Sequence, residues 1–333
     1  MIRVAVDAMG GDRAPEEIVA GAADAASSEI EPVLFGPAGL DTLGVRLVEA
    51  KDVIEMDDHA VEAARSKSDS SLVRAVRAVA DGEAEAVVSA GNTGAMLAAA
   101  LLYVRRLPGV HRPGIAVVIP TRRGPSVLID AGANADARPE HLLQFAHMGA
   151  VFAEEVLGVA DPEIRLLSIG EEDEKGNQLT LDAHELLRGS SLRFAGNMEG
   201  RLLLEGAADV LVADGFTGNV ALKTLEGTVQ SLLASLRGEL AASPRGKLGG
   251  LLIRPGVRRV RERLDPETYG GGYLLGLRGL VVIAHGSSSR VAIANAIRLA
   301  ARGVDHEVVE RLQERLSRGV LASARSTTPT AER

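Results

Sequence analysis

An asparagine one or two residues after a glycine is the pattern in the sequence that best suits an anion, and four such asparagines are candidates to bind one. They are Asn92, Asn134, Asn197 and Asn219. Glycine lets backbone N–H groups approach an anion closely, and a helix that begins there adds the positive end of its dipole. The asparagine side chain adds a neutral N–H donor, which can hold a phosphate while its oxygens stay nucleophilic. The alternative is that glycine and asparagine only form turns and helix caps.

Three ionisable side chains lie near these pairs or at the end of an apolar run. Lys175 stands in the acidic loop Gly170–Asn177, Lys223 follows Asn219 by one helical turn, and His285 follows an apolar run. A lysine could neutralise a bound phosphate or act as a nucleophile, and a histidine could act as an acid or a base. The alternatives are a surface ion pair, a solvated helix face and a capping role.

Several chemistries are excluded or disfavoured by what the sequence lacks. It contains no cysteine, which excludes disulfides, zinc–thiolate sites and a cysteine nucleophile. The net charge of −8 and the aromatic content of 2% disfavour nucleic-acid binding. No dinucleotide or P-loop glycine motif occurs, and the seven histidines lack metal-ligand spacing. We therefore expect no cofactor, no metal and no nucleic acid.

Short apolar runs alternate with helical patterns along the chain. This alternation predicts a three-layer α/β/α fold with a mostly parallel sheet, as a single domain over residues 1–315. Ligands of such sheets bind beyond the carboxyl ends of the strands, so we expect the candidate loops to meet at one end. The run Ile2–Ala8 is typical of a strand rather than a signal peptide, and no run reaches the ~18–20 apolar residues of a spanning helix. We therefore expect a cytoplasmic protein.

Strands are predicted at 2–8, 32–36, 53–56, 86–89, 115–120, 126–130, 164–169, 209–213 and 280–284. The runs on either side of Arg122–Gly124 are expected to form a hairpin at the edge of the sheet. A helix is predicted from about Val220, directly after Gly218 and Asn219. Residues 316–333 are predicted to be a disordered tail.

Eight stretches of the sequence, taken in order, resemble the phosphate acyltransferases of bacterial phospholipid synthesis. They are DAMGGDRAP at Asp7–Pro15, ARSKSDSS at Ala64–Ser71, SAGNTGA at Ser89–Ala95, DAGAN at Asp130–Asn134, IGEEDEKGN at Ile169–Asn177, GNMEG at Gly196–Gly200, DGFTGNVALKTLEG at Asp214–Gly227 and GGYLLGLRGLVVIAHGSS at Gly271–Ser288. The resemblance extends over about residues 2–302. Each stretch is modest alone, but the ordered set is specific.

The resemblance implies that a fatty acyl group passes from acyl carrier protein to inorganic phosphate. The acyl phosphate would serve a glycerol-3-phosphate acyltransferase downstream. It also implies a fold like the isocitrate and isopropylmalate dehydrogenases and the phosphate acetyltransferases, a homodimer, and peripheral attachment to the membrane.

Direct attack of phosphate on the thioester is the mechanism that we favour. Lys175, Asn219 and His285 are the expected catalytic residues, with Lys175 as a charge partner rather than an acylated nucleophile, because an acyl-lysine amide is hard to release. The expected substrate-binding residues are Asn92, Thr93, Asn134, Asn197, Asp214, Gly218 and Lys223.

The segment Ser243–Asp265 is basic and amphipathic on an otherwise acidic chain. We expect Arg254, Arg258, Arg259 and Arg261 to contact the acidic carrier protein or an anionic membrane surface. Pro255-Gly256 is expected to break the segment into two pieces. The alternative is a solvated helix hairpin that packs on its own domain.

Three other functions stay open at the level of the sequence. A phosphate acetyltransferase would use acetyl-CoA rather than an acyl carrier protein. A metal- and NAD-dependent decarboxylating dehydrogenase would need a cluster of acidic ligands. A non-enzymatic membrane scaffold would not explain why Gly–Asn pairs recur in the sequence.

Overall fold

The computed structural model describes residues 1–264 and 266–326, and the side chains of residues 1–260 and 267–317. Its strands form one 11-stranded sheet in the order β3-β2-β1-β4-β11-β10-β5-β6-β9-β7-β8. The strands are β1 (Ile2–Asp7), β2 (Ile30–Gly36), β3 (Arg46–Glu49), β4 (Ala86–Ser89), β5 (Gly114–Thr121), β6 (Gly124–Ile129), β7 (Ile164–Ser168), β8 (Phe194–Glu199), β9 (Val210–Val212), β10 (Gly272–Leu275) and β11 (Leu280–Ile283).

Helices cover both faces of this sheet. They are α1 (Glu16–Ala25), α2 (Ala60–Ser66), α3 (Ser71–Ala80), α4 (Thr93–Ala99) with a π-helical turn (Ala100–Val104), α5 (Pro139–Glu155), α6 (Gln178–Arg188), α7 (Gly215–Ala241), α8 (Pro244–Leu264), α9 (Arg290–Asp305) and α10 (Val308–Ser326), with short 3₁₀ turns at Gly200–Leu202 and Pro266–Thr268.

Alternating side chains of the strands enter two separate cores. Val127 and Ile129 of β6 pack in the core that α1, α5, α6, α9 and α10 cover. Leu128 packs in the other core, under α2, α3, α4 and the start of α7. This alternation follows from the two-residue period of a strand. The predicted three-layer α/β/α fold with a mostly parallel sheet is confirmed.

The two halves of the sheet run in opposite directions. β1, β2, β3, β4 and β11 are mutually parallel, whereas the pairs β11–β10, β10–β5 and β5–β6 are antiparallel. β9, β7 and β8 then run parallel to β6. The three reversals place the carboxyl ends of β1, β4 and β11 at one end of the sheet, the β11 end. The carboxyl ends of β6, β9 and β7 lie at the opposite end, the β9 end.

The expectation that all candidate loops meet at one end is therefore wrong. The predicted hairpin exists as β5 and β6, but it lies in the interior of the sheet and not at its edge. Sequence patterns show where strands are, but an antiparallel reversal depends on which strands become neighbours.

Other differences from the sequence prediction have local causes. Residues 53–56 form no strand, because a turn begins there in which Glu55 N donates to Asp58 Oδ2. The third strand is β3 instead, while β8 and β10 were not predicted, since both contain glycine and β8 also contains a polar asparagine. α7 begins at Gly215 rather than Val220, because the Asp214 side chain caps it by accepting from Thr217 N.

The C-terminal part of the chain also differs from the prediction. α8 continues through Pro255 and is not broken there; Leu251, four residues earlier, is exposed, so water can reach the carbonyl that Pro255 cannot satisfy. α10 extends to Ser326, into the predicted tail. Its residues Val308, Leu312 and Leu316 are buried at helical spacing. Residues 327–333 lie outside the described residues.

A buried histidine lies in α5, on the core face opposite α7. The His147 ring is 8% exposed, and its Nδ1 atom has no hydrogen-bond partner. Burial, with a smaller contribution from the charge of Arg315, lowers the pKa of His147 from 6.5 to about 4. His147 therefore stays neutral in the folded protein at neutral pH.

His147 should make the fold sensitive to mild acid. Between about pH 6.5 and pH 4 the unfolded chain binds a proton that folded His147 does not, so the free energy of unfolding falls as pH falls, by up to ~1.4 kcal/mol per pH unit. His147→Leu should reduce this slope in urea titrations at pH 7, 6 and 5. His306→Gln, at an exposed position, is the control, and an unchanged slope in His147→Leu would contradict the expectation.

Candidate functional site

The loop after β6 is held together by one buried carboxylate. Asp130 Oδ1 accepts from the backbone N–H groups of Ile115, Gly132 and Ala133, and Oδ2 accepts from Asn134 N and Nδ2, all at 2.8–3.1 Å. Burial raises the pKa of Asp130 above its ordinary value, although these donors oppose the shift. The loop's N–H groups are therefore committed to Asp130 and do not form an open anion cradle.

The first turn of α7 packs against this loop with almost no space between the backbones. A Cβ atom on Gly218 would lie 2.0 Å from the carbonyl oxygen of Asp130, so glycine is required there. Gly215 N donates to Asn134 O at 2.8 Å. Asn219 Nδ2 donates to Ala131 O at 3.0 Å. The structure thus brings Asn134, Asp214, Gly218 and Asn219 together at the β9 end.

Three of the four asparagines use both N–H bonds of their side chains within the protein. Asn92 Nδ2 donates to Met56 O and Asp58 O. Asn134 Nδ2 donates to Pro113 O and Asp130 Oδ2. The Nδ2 of buried Asn197 donates to Glu172 O and Lys175 O. In this structure these three side chains therefore hold neighbouring backbone segments, and their binding of substrate stays a prediction. Asn219 makes one such bond and retains a second N–H.

The acidic loop after β7 lies at the same end of the sheet, with Lys175 exposed. Asn197 holds this loop from β8 through the two carbonyls named above. Asn197 Oδ1 in turn contacts Nδ1 of the buried His184 at 3.0 Å, and Ser168 Oγ donates to Lys175 O at 3.0 Å. The backbone of Lys175 is therefore well anchored, while its side chain reaches into solvent.

At the β11 end, Asn92 caps α4 by accepting from Ala95 N at 3.0 Å, and Thr93 is the exposed first residue of that helix. Met56 connects this cap to the loop after β11: its carbonyl accepts from Asn92, and its Cε lies 3.4 Å from where a Cβ on Gly286 would be. His285, directly before Gly286, therefore belongs to the same end of the sheet as Asn92.

Helix α7 connects the two ends. Lys223 and Glu226, in its third turn, both contact His285 from the β11 end. Glu226 Oε2 accepts from Lys223 Nζ at 2.9 Å, and Oε1 is 3.2 Å from His285 Nε2. The sequence prediction gave Glu226 no role. Its only signal was the i,i+3 spacing to Lys223, which is common on solvated helices.

The basic segment forms the second helix of a hairpin, α7–α8. Arg254, Arg258 and Arg259 are exposed, and so are the apolar Leu251 and Leu252. The side chain of Arg261 lies outside the described residues. This surface is basic and apolar at once, as the sequence predicts.

Within residues 1–264 and 266–326, no three His, Asp or Glu side chains are placed to hold a metal ion. In the same part of the chain no helix is both long and apolar enough to cross a bilayer. Among the described side chains, Lys223 and His285 are in contact and each about half exposed, so an ammonium group and an imidazole are available to an anion there.

A family model described as "Fatty acid synthesis protein" matches residues 2–311. A phosphate acyltransferase of Desulfitobacterium hafniense is 47% identical over 96% of this chain and 98% of its own length. One from Thermosynechococcus vestitus is 48% identical over 93% and 94%.

Among solved structures, a phosphotransacetylase from Streptococcus pyogenes matches with a TM-score of 0.61 and 20% identity, over 91% of this chain and 94% of its own. A branched-chain phosphotransacylase from Enterococcus faecalis matches with a TM-score of 0.59 and 18% identity, over 91% and 99%. At these identities the two structures show a shared fold, which agrees with the expected likeness to phosphate acetyltransferases.

Asn197→Ala should loosen the Lys175 loop. The substitution removes one of the two donors to Glu172 O and leaves Nδ1 of the buried His184 without its contact, which should lower the free energy of unfolding by about 1–3 kcal/mol. Hydrogen exchange of the amides at 169–177 should become faster. Asn295→Ala, which removes one donor to a backbone carbonyl elsewhere, is the control. Unchanged exchange together with lost phosphate binding would instead make Asn197 a direct ligand.

Proposed function

The chain belongs to the phosphate acyltransferase family of fatty acid and phospholipid synthesis, and on that premise we propose that this acyltransferase moves a fatty acyl group from acyl carrier protein to inorganic phosphate. The product is an acyl phosphate, which a glycerol-3-phosphate acyltransferase would consume. The family supports the acyl transfer to phosphate, and the site supports how the chain would perform it.

The observation that carries the proposal is the arrangement along α7. Asn219, in its second turn, offers an N–H, and Lys223 one turn later offers an ammonium group that lies 3.4 Å from both nitrogens of the His285 ring. A neutral donor and a cation thus follow one another along a single rigid helix, and the proton acceptor contacts the cation from the loop after β11. Such preorganised groups can hold phosphate and stabilise the oxyanion of a tetrahedral intermediate without reorganising during the reaction.

The reaction transfers one proton, and we assign this transfer to His285. The dianion HPO₄²⁻ carries one proton, the acyl phosphate dianion carries none, and the released thiol gains one. A phosphate oxygen bonds to the thioester carbon, the C–S bond breaks, and one proton must pass from phosphate to sulfur. His285 can accept it from phosphate and return it to the thiolate.

Lys175 acts as a charge partner in this proposal. Its anchored backbone and exposed side chain suit a cation that approaches the acyl donor only when substrate is bound. An acyl-lysine intermediate would be an amide, which phosphate cannot cleave readily. Direct attack of phosphate on the thioester is therefore the proposed route.

The exposed α7–α8 hairpin supports our further proposals about the partners of the protein and its location in the cell. The arginines and apolar residues of α8 would bind the acidic carrier protein or an anionic membrane surface, so the protein would be cytoplasmic and peripherally attached. Apolar residues such as Leu232 and Leu236 on α7 would be covered in a homodimer. A single catalytic domain over 1–315 accords with the one continuous sheet.

The closest alternative is a phosphate acetyltransferase, because solved phosphotransacetylases share the fold. Acyl carrier protein loaded with a long acyl chain should react at least ~100-fold faster than acetyl-CoA in kcat/KM. The product, trapped as a hydroxamate, should form only when phosphate is present. Faster turnover of acetyl-CoA would replace the proposal with the alternative.

The same assay tests the charge role of Lys175. Lys175→Ala should lower kcat/KM by ~10–100-fold, and Lys175→Arg should retain part of the activity, since it keeps the charge. Recovery of an acylated Lys175 peptide would show a covalent intermediate instead.

Reversing exposed charges on α8 should weaken association. Arg254→Glu with Arg259→Glu should weaken binding to the carrier protein or to anionic vesicles by ~10-fold or more, and added salt should reduce the difference. Arg46→Glu with Arg112→Glu is the control, because it makes the same change in net charge on other elements. Unchanged binding to both partners would remove α8 from the proposed contact surface.

A further inference from the structure

Glu226 is the one member of the α7–His285 contact that is largely shielded from water. Its side chain is 17% exposed, compared with 49% for Lys223 and 48% for His285. Each carboxylate oxygen has a different partner: Oε1 contacts His285 Nε2 at 3.2 Å and Oε2 accepts from Lys223 Nζ at 2.9 Å. The carboxylate therefore connects the two groups to which the proposed function assigns phosphate binding and proton transfer.

This contact determines which nitrogen of His285 carries the proton. An ionised carboxylate can only accept hydrogen bonds, so the contact requires a proton on Nε2. Burial alone would raise the pKa of Glu226, but the hydrogen bonds from His285 and Lys223 outweigh burial and lower it, so the carboxylate is ionised at neutral pH. In the neutral ring the lone pair is then on Nδ1, the nitrogen that can accept a proton from substrate.

Glu226 also offsets a repulsion that would otherwise oppose the reaction. Lys223 Nζ lies 3.4 Å from both ring nitrogens, so a proton gained by His285 places two positive charges side by side. Glu226 supplies the negative charge in direct contact with both. Two further carboxylates lie next to this loop. Asp12 donates its N–H to Gly286 O and its carboxylate faces the Gly286 Cα, while Glu267 Oε2 accepts from Ser289 Oγ at 2.8 Å.

We propose that Glu226 is a positioning residue for acyl transfer, which orients His285 with Nδ1 as the proton acceptor and stabilises the ring once it is protonated beside Lys223. This inference rests on the proposed function. In the step concerned, Nδ1 takes the phosphate proton as the bond forms between a phosphate oxygen and the thioester carbon. It returns that proton to sulfur after the C–S bond breaks, so the ring ends as it began.

Glu226→Gln is the direct test, because glutamine keeps the size but removes the charge. Glutamine has one acceptor oxygen where glutamate has two. The Lys223 ammonium should keep that oxygen, so the amide NH₂ faces His285 and the ring loses its preference for a proton on Nε2. We expect kcat with acyl carrier protein and phosphate to fall ~30-fold or more, while KM for phosphate changes less than ~5-fold and the melting temperature stays close to that of the wild type. Glu154→Gln is the control: Glu154 is also largely shielded and pairs with Arg315, but on the opposite face of the sheet.

A double-mutant cycle separates positioning through His285 from a general structural role. In the His285→Gln background, Glu226→Gln should lower kcat by less than ~3-fold. An equal loss in both backgrounds, or near-normal kcat in Glu226→Gln alone, would overturn the proposal. If the wild type forms no acyl phosphate, the proposed function itself fails, and this result is distinct from either outcome.

Nitrogen-15 NMR of the His285 ring gives a second readout that needs no turnover. In the wild type the neutral ring should carry its proton on Nε2, and this preference should be lost in Glu226→Gln but kept in Glu154→Gln. An Nε2-protonated ring in Glu226→Gln would overturn the proposal even if activity were lost.

Discussion

The contact between Gly218 and the carbonyl oxygen of Asp130 is the constraint on which the candidate site depends. No side chain fits between them, because even a Cβ would lie 2.0 Å from that oxygen. The contact fixes where α7 starts relative to the loop after β6, and the buried Asp130 carboxylate fixes that loop through five hydrogen bonds. A shift of one ångström at this contact would displace every residue of α7.

Beyond Gly218, α7 carries three polar side chains that are spaced by about one helical turn. Asn219, Lys223 and Glu226 follow within about 12 Å of helix axis from Gly218, at 1.5 Å per residue. This length is what the reversed sheet requires, because the strands that carry Asp130 and His285 end at opposite ends of the sheet. A helix that starts at the β9 end and reaches His285 at the β11 end turns two separate sets of loops into one site.

The site also separates structural from reactive polar groups. The side-chain N–H groups of Asn92, Asn134 and Asn197 donate to backbone carbonyls and, in Asn134, also to the Asp130 carboxylate. These bonds fix the loops that carry Thr93, Gly132 and Lys175. The polar groups that stay accessible include the exposed Thr93 and Lys175, the half-exposed Lys223 and His285, and the remaining N–H of Asn219. Buried donors give rigidity because each is satisfied, and the exposed ones keep capacity for a ligand.

The sequence by itself determined the class of fold, most strand positions, the Gly–Asn stretches and the family resemblance, because these depend on local periodicity and on ordered motifs. It also placed Lys223 and His285 among the site candidates, which the structure then brought into contact. Only the tertiary structure decided that the sheet reverses, that three asparagines are committed internally and that Glu226 joins Lys223 to His285. The physical reason is that all three features depend on which segments become neighbours in the folded chain. Local sequence patterns do not show strand direction, the partner of a hydrogen-bond donor or a contact between residues 59 positions apart.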